Sequence, residues 1–162
     1  MNAIQSTPPN THGFDSPEQE LYLSIWRTYD RLRVLEDELF ARWELTAQQY
    51  NVLRLLMAAH PRSVPTISLM NRLVSRSPDI TRMLDRLQKR GLIERVRSDA
   101  DRRSIHVTIT PLGVDLVAEI AAPLQACHQQ QLGHMTVEEI ETLVALLAKA
   151  RGPHENETSY WK

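Results

Sequence analysis

Apolar residues recur along this chain at two different periods, and the change of period locates its elements. From Ser16 to about Arg42 the apolar positions Leu21, Tyr22, Ile25, Trp26, Tyr29, Leu32, Leu35 and Leu39 form a broad helical stripe. It is opened by Ser16-Pro17-Glu18-Gln19, which reads as N-cap, first-turn proline and capping-box glutamine. Thr46-Ala47-Gln48-Gln49 repeats the capping pattern and starts a second helix, with Tyr50, Leu53, Leu56 and Met57 inward and an end before Pro61. A short third helix, Thr66 to Val74, is expected to turn Ile67, Met70 and Leu73 inward.

The fourth helix is the most informative stretch. Ile80, Met83, Leu84 and Leu87 line one face; Ser77 suits the N-cap, Pro78 the first turn, and Asp79 the positive end of the helix dipole. Gly91 supplies the left-handed residue that ends it. The opposite face carries Thr81, Arg82, Asp85, Arg86, Lys89 and Arg90. A basic face of this length fits a DNA major groove, and equally describes an ordinary solvated helix.

The period then changes to two. Leu92 to Val96 is a short apolar run, Ser98 to Asp101 is rich in turn formers, and Arg103 to Ile109 alternates through Ile105, Val107 and Ile109. A two-stranded hairpin with an Arg-bearing tip is expected. A helix followed at once by such a hairpin outlines a winged helix-turn-helix, in which the second helix enters the major groove and the wing reaches the flanking backbone or minor groove. After the wing, Thr110-Pro111 opens a helix through Leu112, Leu116, Val117, Ile120 and Leu124, which Pro123 should kink or interrupt. Thr136-Val137-Glu138-Glu139 caps a last helix that carries Ile140, Leu143, Val144 and Leu147 and is closed by Gly152-Pro153.

Charge supports the DNA reading. From Arg76 to Arg103 nine Arg and Lys face five acids, a net +4 in a chain whose formal net charge is −1. Positive charge is gathered where a phosphate-contacting surface would lie.

The run Thr81-Arg82-x-x-Asp85-Arg86-Leu87-x-x-x-Gly91-Leu92-Ile93-x-Arg95, then Asp99-x-Asp101-Arg102-Arg103 and Ile109-Thr110-Pro111-x-Gly113, resembles the core of the multiple-antibiotic-resistance regulator (MarR) family over roughly residues 17 to 151. The resemblance implies a mainly α fold with a small β-hairpin wing, a winged helix-turn-helix carried between N- and C-terminal dimerisation helices. It divides the chain into an arm (1–15), one domain (16–151) and a tail (152–162). Within the domain, 46–110 form the winged core and 16–42 and 111–151 the dimerisation helices. The implied function is that of a sequence-specific transcriptional regulator, a repressor binding double-stranded DNA as a homodimer at an inverted repeat and released by a small ligand. Arg76, Ser77, Asp79, Thr81, Arg82, Arg86, Asp101 and Arg103 would form the DNA surface, Asp101 and Arg103 matching the family's Asp-x-Arg wing motif. Pro78-Asp79 departs from the small hydroxyl residues of many members. An acid there either caps the helix or accepts from cytosine N4.

The remaining chemistry is sparse. Tyr22, Trp26 and Tyr29 at helical spacing read first as core; with Arg33 they are also the candidates for the aromatic or phenolic effector pocket that the resemblance implies. Cys127, His128 and His134 invite a thiol or metal reading, but no Lys or Arg lies near the cysteine in sequence and the spacing matches no known ligand set. A small filler on a helix is the plainer account of Cys127, and His106 on the wing reads as a surface residue. With no Gly-rich phosphate loop and no Ser-x-x-Lys, neither an enzyme nor a resident cofactor or metal is expected. No apolar run approaches a membrane span, the first residues lack the pattern of a signal peptide, and one cysteine gives no disulfide framework, so a cytoplasmic protein is expected. The reading from another class is a winged-helix module that binds protein and reads no DNA; a Cys127-based enzyme is the third.

Overall fold

The computed structural model describes residues 13–74, 79–97 and 105–155. In order come α1 (Pro17–Ala41), α2 (Ala47–Ala59), β1 (Val64–Pro65), α3 (Thr66–Arg72), α4 (Ile80–Lys89), β2 (Ile93–Arg97), β3 (Ile105–Ile109), α5 (Pro111–Leu132) and α6 (Val137–Arg151). The expected helices and wing strands are all present. One 3-10 turn, Gly152–His154, follows α6, whose last residue runs into Gly152 in right-handed conformation instead of stopping there.

Side-chain caps mark the starts of α1, α2, α5 and α6. Thr46 accepts from the Gln49 amide at 3.2 Å while the Gln49 side chain takes the Thr46 amide at 2.9 Å, and Thr136 and Glu139 do the same at α6. At α1, Ser16 accepts from the Gln19 amide, but the Gln19 side chain accepts from Asp15 N–H at 2.7 Å, one residue before the expected cap.

The core is built from α2, α3, α4, the sheet and α5, with Leu53, Leu56, Leu69, Leu84, Leu87, Ile93, Val107 and Ile120 fully buried. Burying a side chain of this size is worth about 1.5–3 kcal/mol, so these positions decide which face of each element turns inward. On α3 they overrule the expected face. Leu69 and Leu73, four apart, are buried, and Ile67 and Met70 are exposed. Two turns of helix cannot present both faces to one core.

The sheet has three strands in the order β1-β3-β2, all antiparallel, and so exceeds the expected hairpin. Val64 pairs with Val107, and Ile93 with Ile109. Two residues, one of them proline, are too few to show an alternation, and β1 left no pattern to read. Ile105, expected inward, is exposed, and His106 is half-buried with Nδ1 3.1 Å from Ser63 Oγ.

The Gly91 and Gly113 positions explain the join between wing and α5. Gly91 has φ +69°, and a Cβ on Gly113 would stand 2.3 Å from the Leu92 carbonyl oxygen. Between them the Thr110 hydroxyl donates to Gly91 O at 2.6 Å and accepts from Gly113 N–H at 3.1 Å, while the Thr110 amide donates to Leu92 O. The Thr-Pro-x-Gly sequence thereby ties the end of α4 to the start of α5.

Three further expectations are corrected. α4 begins at Ile80, two residues after Pro78, and Asp79 makes no side-chain cap bond; Ser77 and Pro78 lie outside the described residues. α5 runs unbroken through Pro123, since Ile120, Cys127 and Gln131 on the flanking turns are buried and hold it. On α1, Tyr22, Trp26 and Tyr29, which read first as core, are about 60% exposed or more, and the stripe is buried in this copy only at Leu39, with Phe40 beside it. On α6 no residue is buried, and Ile140, Leu143 and Val144 are exposed. These two helices carry apolar faces that one copy of the chain does not cover.

Candidate nucleic-acid interface

The apolar face of α4 is anchored by Ile80, Met83, Leu84 and Leu87, all buried. That anchoring fixes the opposite face outward: Thr81, Arg82, Arg86 and Lys89 are exposed. Ten residues make a helix about 15 Å long, long enough to lie in a major groove. Arg82 and Arg86, one turn apart, line an open groove with Asp79, Met83 and the start of α2 at Thr46, Gln48 and Gln49. Arg82 also lies 3.3 Å from the Asp79 carboxylate, a contact that orients its guanidinium near the start of the helix.

The structure divides the basic residues, which sequence pattern groups together, into two kinds. Arg95 on β2 is turned back onto α4, forming an ion pair with Asp85 and donating from Nε to Gln88 Oε1 at 2.6 Å. Arg90 at the C-cap of α4 donates to Glu44 O at 2.8 Å and Trp43 O at 2.9 Å, on the turn after α1. Both cations hold the recognition helix in place. No sequence period distinguishes them from Arg82 and Arg86, because the partners come from other elements. Of the wing, the strands are described; Asp101 and Arg103, like Arg76 and Ser77, lie outside the described residues.

The effector candidates lie together on α1. Tyr22 and Trp26 meet edge to face with centroids 6.2 Å apart, and the Arg33 guanidinium sits 6.0 Å from the Tyr29 ring centre. Arg33 also faces Asp37 at 3.5 Å and Asp30 at 4.0 Å. In one copy of the chain Tyr22, Trp26 and Tyr29 form an exposed strip and not a core.

Cys127 is buried, and burial, then the nearby Glu36 carboxylate, pushes its thiol pKa up. That is the opposite of what a nucleophile or thiol sensor needs. His128 points its Nε2 to Glu36 Oε1 at 3.3 Å. Among the described residues, no group of three or more His, Cys, Asp or Glu is placed to hold a metal ion, and no helix is long and apolar enough to cross a membrane.

A helix-turn-helix followed by a strand-paired wing, with an exposed arginine pair on its second helix, defines a winged helix-turn-helix protein. The sequence model of the MarR family matches residues 45–105. The regulator HosA of Escherichia coli O157:H7 is 30% identical over 128 residues, covering 76% of this chain and 93% of HosA. The crystal structure of a MarR transcription factor from Planctomyces limnophilus is 45% identical, with TM-score 0.66, covering 83% of this chain and 97% of that one. A MarR variant from Escherichia coli, crystallised with operator DNA, is 29% identical with TM-score 0.71, covering 81% and 93%. This chain belongs to the MarR family of winged-helix transcriptional regulators and is not an enzyme.

Proposed function

We propose that the protein is a homodimeric repressor of the cytoplasm that binds an inverted-repeat operator, reads bases with α4, and releases DNA when a small aromatic or phenolic effector binds. The observation that carries this is the Arg82–Arg86 pair, exposed one turn apart on a helix whose other face is locked into the core. Arginine paired with guanine O6 and N7 is the commonest base-specific contact, and two arginines spaced by about 6 Å along one helix can address the same groove. Thr81 and Asp79 stand at the same end of α4 and would meet neighbouring bases or phosphates, with Arg76 and Ser77 just before them in sequence. Arg103 on the wing, directed by Asp101, would enter a narrow minor groove, whose negative potential attracts a guanidinium.

Dimerisation follows from the uncovered apolar faces of α1 and α6, which a second copy of the chain would bury together. In such a dimer Tyr22, Trp26, Tyr29 and Arg33 would become walls of an effector cleft, Arg33 facing a ligand carboxylate. An effector acts only through a difference in its affinity for the DNA-competent and DNA-incompetent states, so binding there must be linked to operator affinity.

The test is selection of bound sequences from random DNA by the purified protein, repeated with aromatic carboxylates while Trp fluorescence is followed. Enrichment of an inverted repeat, lost as the fluorescence is quenched, is the expected result. Absence of any enriched sequence would favour the protein-binding module instead, and quenching without loss of DNA would remove the effector role.

A further inference from the structure

The C-terminus of α1 is finished by a residue from the recognition helix. Leu45 N–H bonds Phe40 O and Glu44 N–H bonds Ala41 O, both at 3.1 Å, with Glu44 at φ +53° between them. This is the left-handed termination that usually employs glycine, and Phe40 and Leu45 on either side of it are both buried in the core. Such an end leaves carbonyls at its negative pole seeking donors; the last turn of α1 contains no basic residue, and its C-cap residue Arg42 is exposed. The donor to the carbonyls of this turn comes from the end of α4: the Arg90 guanidinium forks onto Trp43 O and Glu44 O. From the other side the Trp43 indole N–H donates to Glu119 of α5 at 2.8 Å. A polar path thus joins α5, the end of α1 and the end of α4.

We propose that Arg90 is a positioning residue for base reading: without touching DNA, it sets the angle at which α4 leaves the frame formed by α1 and α5. This rests on the DNA-binding function proposed above. The lever is simple. Arg82 stands eight residues from Arg90, about 12 Å along the helix axis, so a tilt of roughly 10° about the clamped end displaces it by about 2 Å. A bidentate arginine–guanine contact does not survive that shift, whereas attraction to phosphates, which is long-ranged and sequence-blind, largely does. A loosened Arg90 should therefore cost selectivity far more than it costs DNA affinity as such.

The experiment compares wild type, Arg90→Gln and Arg90→Lys for binding to the selected operator and to a scrambled duplex at several salt concentrations, with thermal unfolding and dimer mass measured alongside. The folded Gln variant is expected to lose roughly tenfold or more on the operator, in line with losing a charge-assisted hydrogen-bond fork, and to bind scrambled DNA within about twofold of wild type at an unchanged salt slope. Lys, which keeps the charge but not the fork, should fall between them, and it carries the comparison if the Gln variant does not fold. Equal losses on both duplexes with a shallower salt slope would make Arg90 a phosphate contact and overturn the proposal. An operator affinity like that of wild type in the folded variants would overturn it too. A wild type that prefers no duplex overturns the DNA function itself, and the role of Arg90 falls with it; selective binding by both wild type and variants overturns only the role of Arg90.

Discussion

Asp85 of the recognition helix and Arg95 of the wing are joined as an ion pair, with Gln88 accepting a second bond from the same guanidinium at 2.6 Å. The pair crosses from α4 to β2, so helix and wing are held as one unit and would reach DNA at a fixed separation.

That contact has a measurable size. Both groups are partly exposed, so the pair is worth about 1 kcal/mol or less in folding. Asp85→Ala and Arg95→Ala should each lower the denaturation midpoint, and the double variant should be no worse than the poorer single one. Fully additive losses in a double-mutant cycle would mean that the two side chains act separately.

The exposed faces of α1 and α6 predict the oligomeric state. Val144→Asp or Leu143→Asp should turn a dimer into a monomer by sedimentation, because a charge cannot be buried there without a partner. Deleting residues 1–42 should do more and abolish soluble folding, since Phe40 belongs to the core of the winged domain. A well-folded monomer from that deletion would contradict the arrangement.

Glu44 gives a prediction of unusual sign. At φ +53° a side chain costs roughly 1 kcal/mol that glycine does not incur, partly offset by glycine's looser unfolded chain. Glu44→Gly should leave thermal stability unchanged or raise it, and Glu44→Val should lower it. The reverse order would show that the left-handed turn after α1 is not maintained in solution.

Cys127 should behave as a structural residue. Its raised pKa keeps it a thiol near neutral pH, so alkylation should be much slower in the folded protein than in urea, and Cys127→Ser should leave DNA binding unchanged. Rapid alkylation of the native protein would reopen a thiol-based role.

Much of this was legible in the sequence, and the limits have physical causes. The i, i+3, i+4, i+7 set from Ile80 to Leu87 identified the buried face of α4 because a helix that long has one dominant face, and Gly91 marked its end because few residues accept φ +69°. On α3 the same reasoning chose Ile67 and Met70, since two turns give a pattern too short to tell one face from the other. Strand β1 consists of two residues paired with β3, which lies far downstream in sequence: Val64 with Val107 and Pro65 with His106. In the candidate site, Arg82 and Arg86 were legible as outward cations. That Arg95 and Arg90 instead serve Asp85 and the end of α1 depends on contacts between distant segments, which no local period encodes. The apolar stripes of α1 and α6 were visible as stripes, and one copy of the chain leaves them uncovered.

The most direct test of the central claim is titration of wild type, Arg82→Ala and Arg86→Ala against the selected operator and a scrambled duplex at several salt concentrations. Each substitution should cost about 1–3 kcal/mol per half-site on the operator and relax preference at particular base pairs, with much smaller losses on scrambled DNA. If both variants bind both duplexes as wild type does, the exposed face of α4 does not read DNA and the account is wrong.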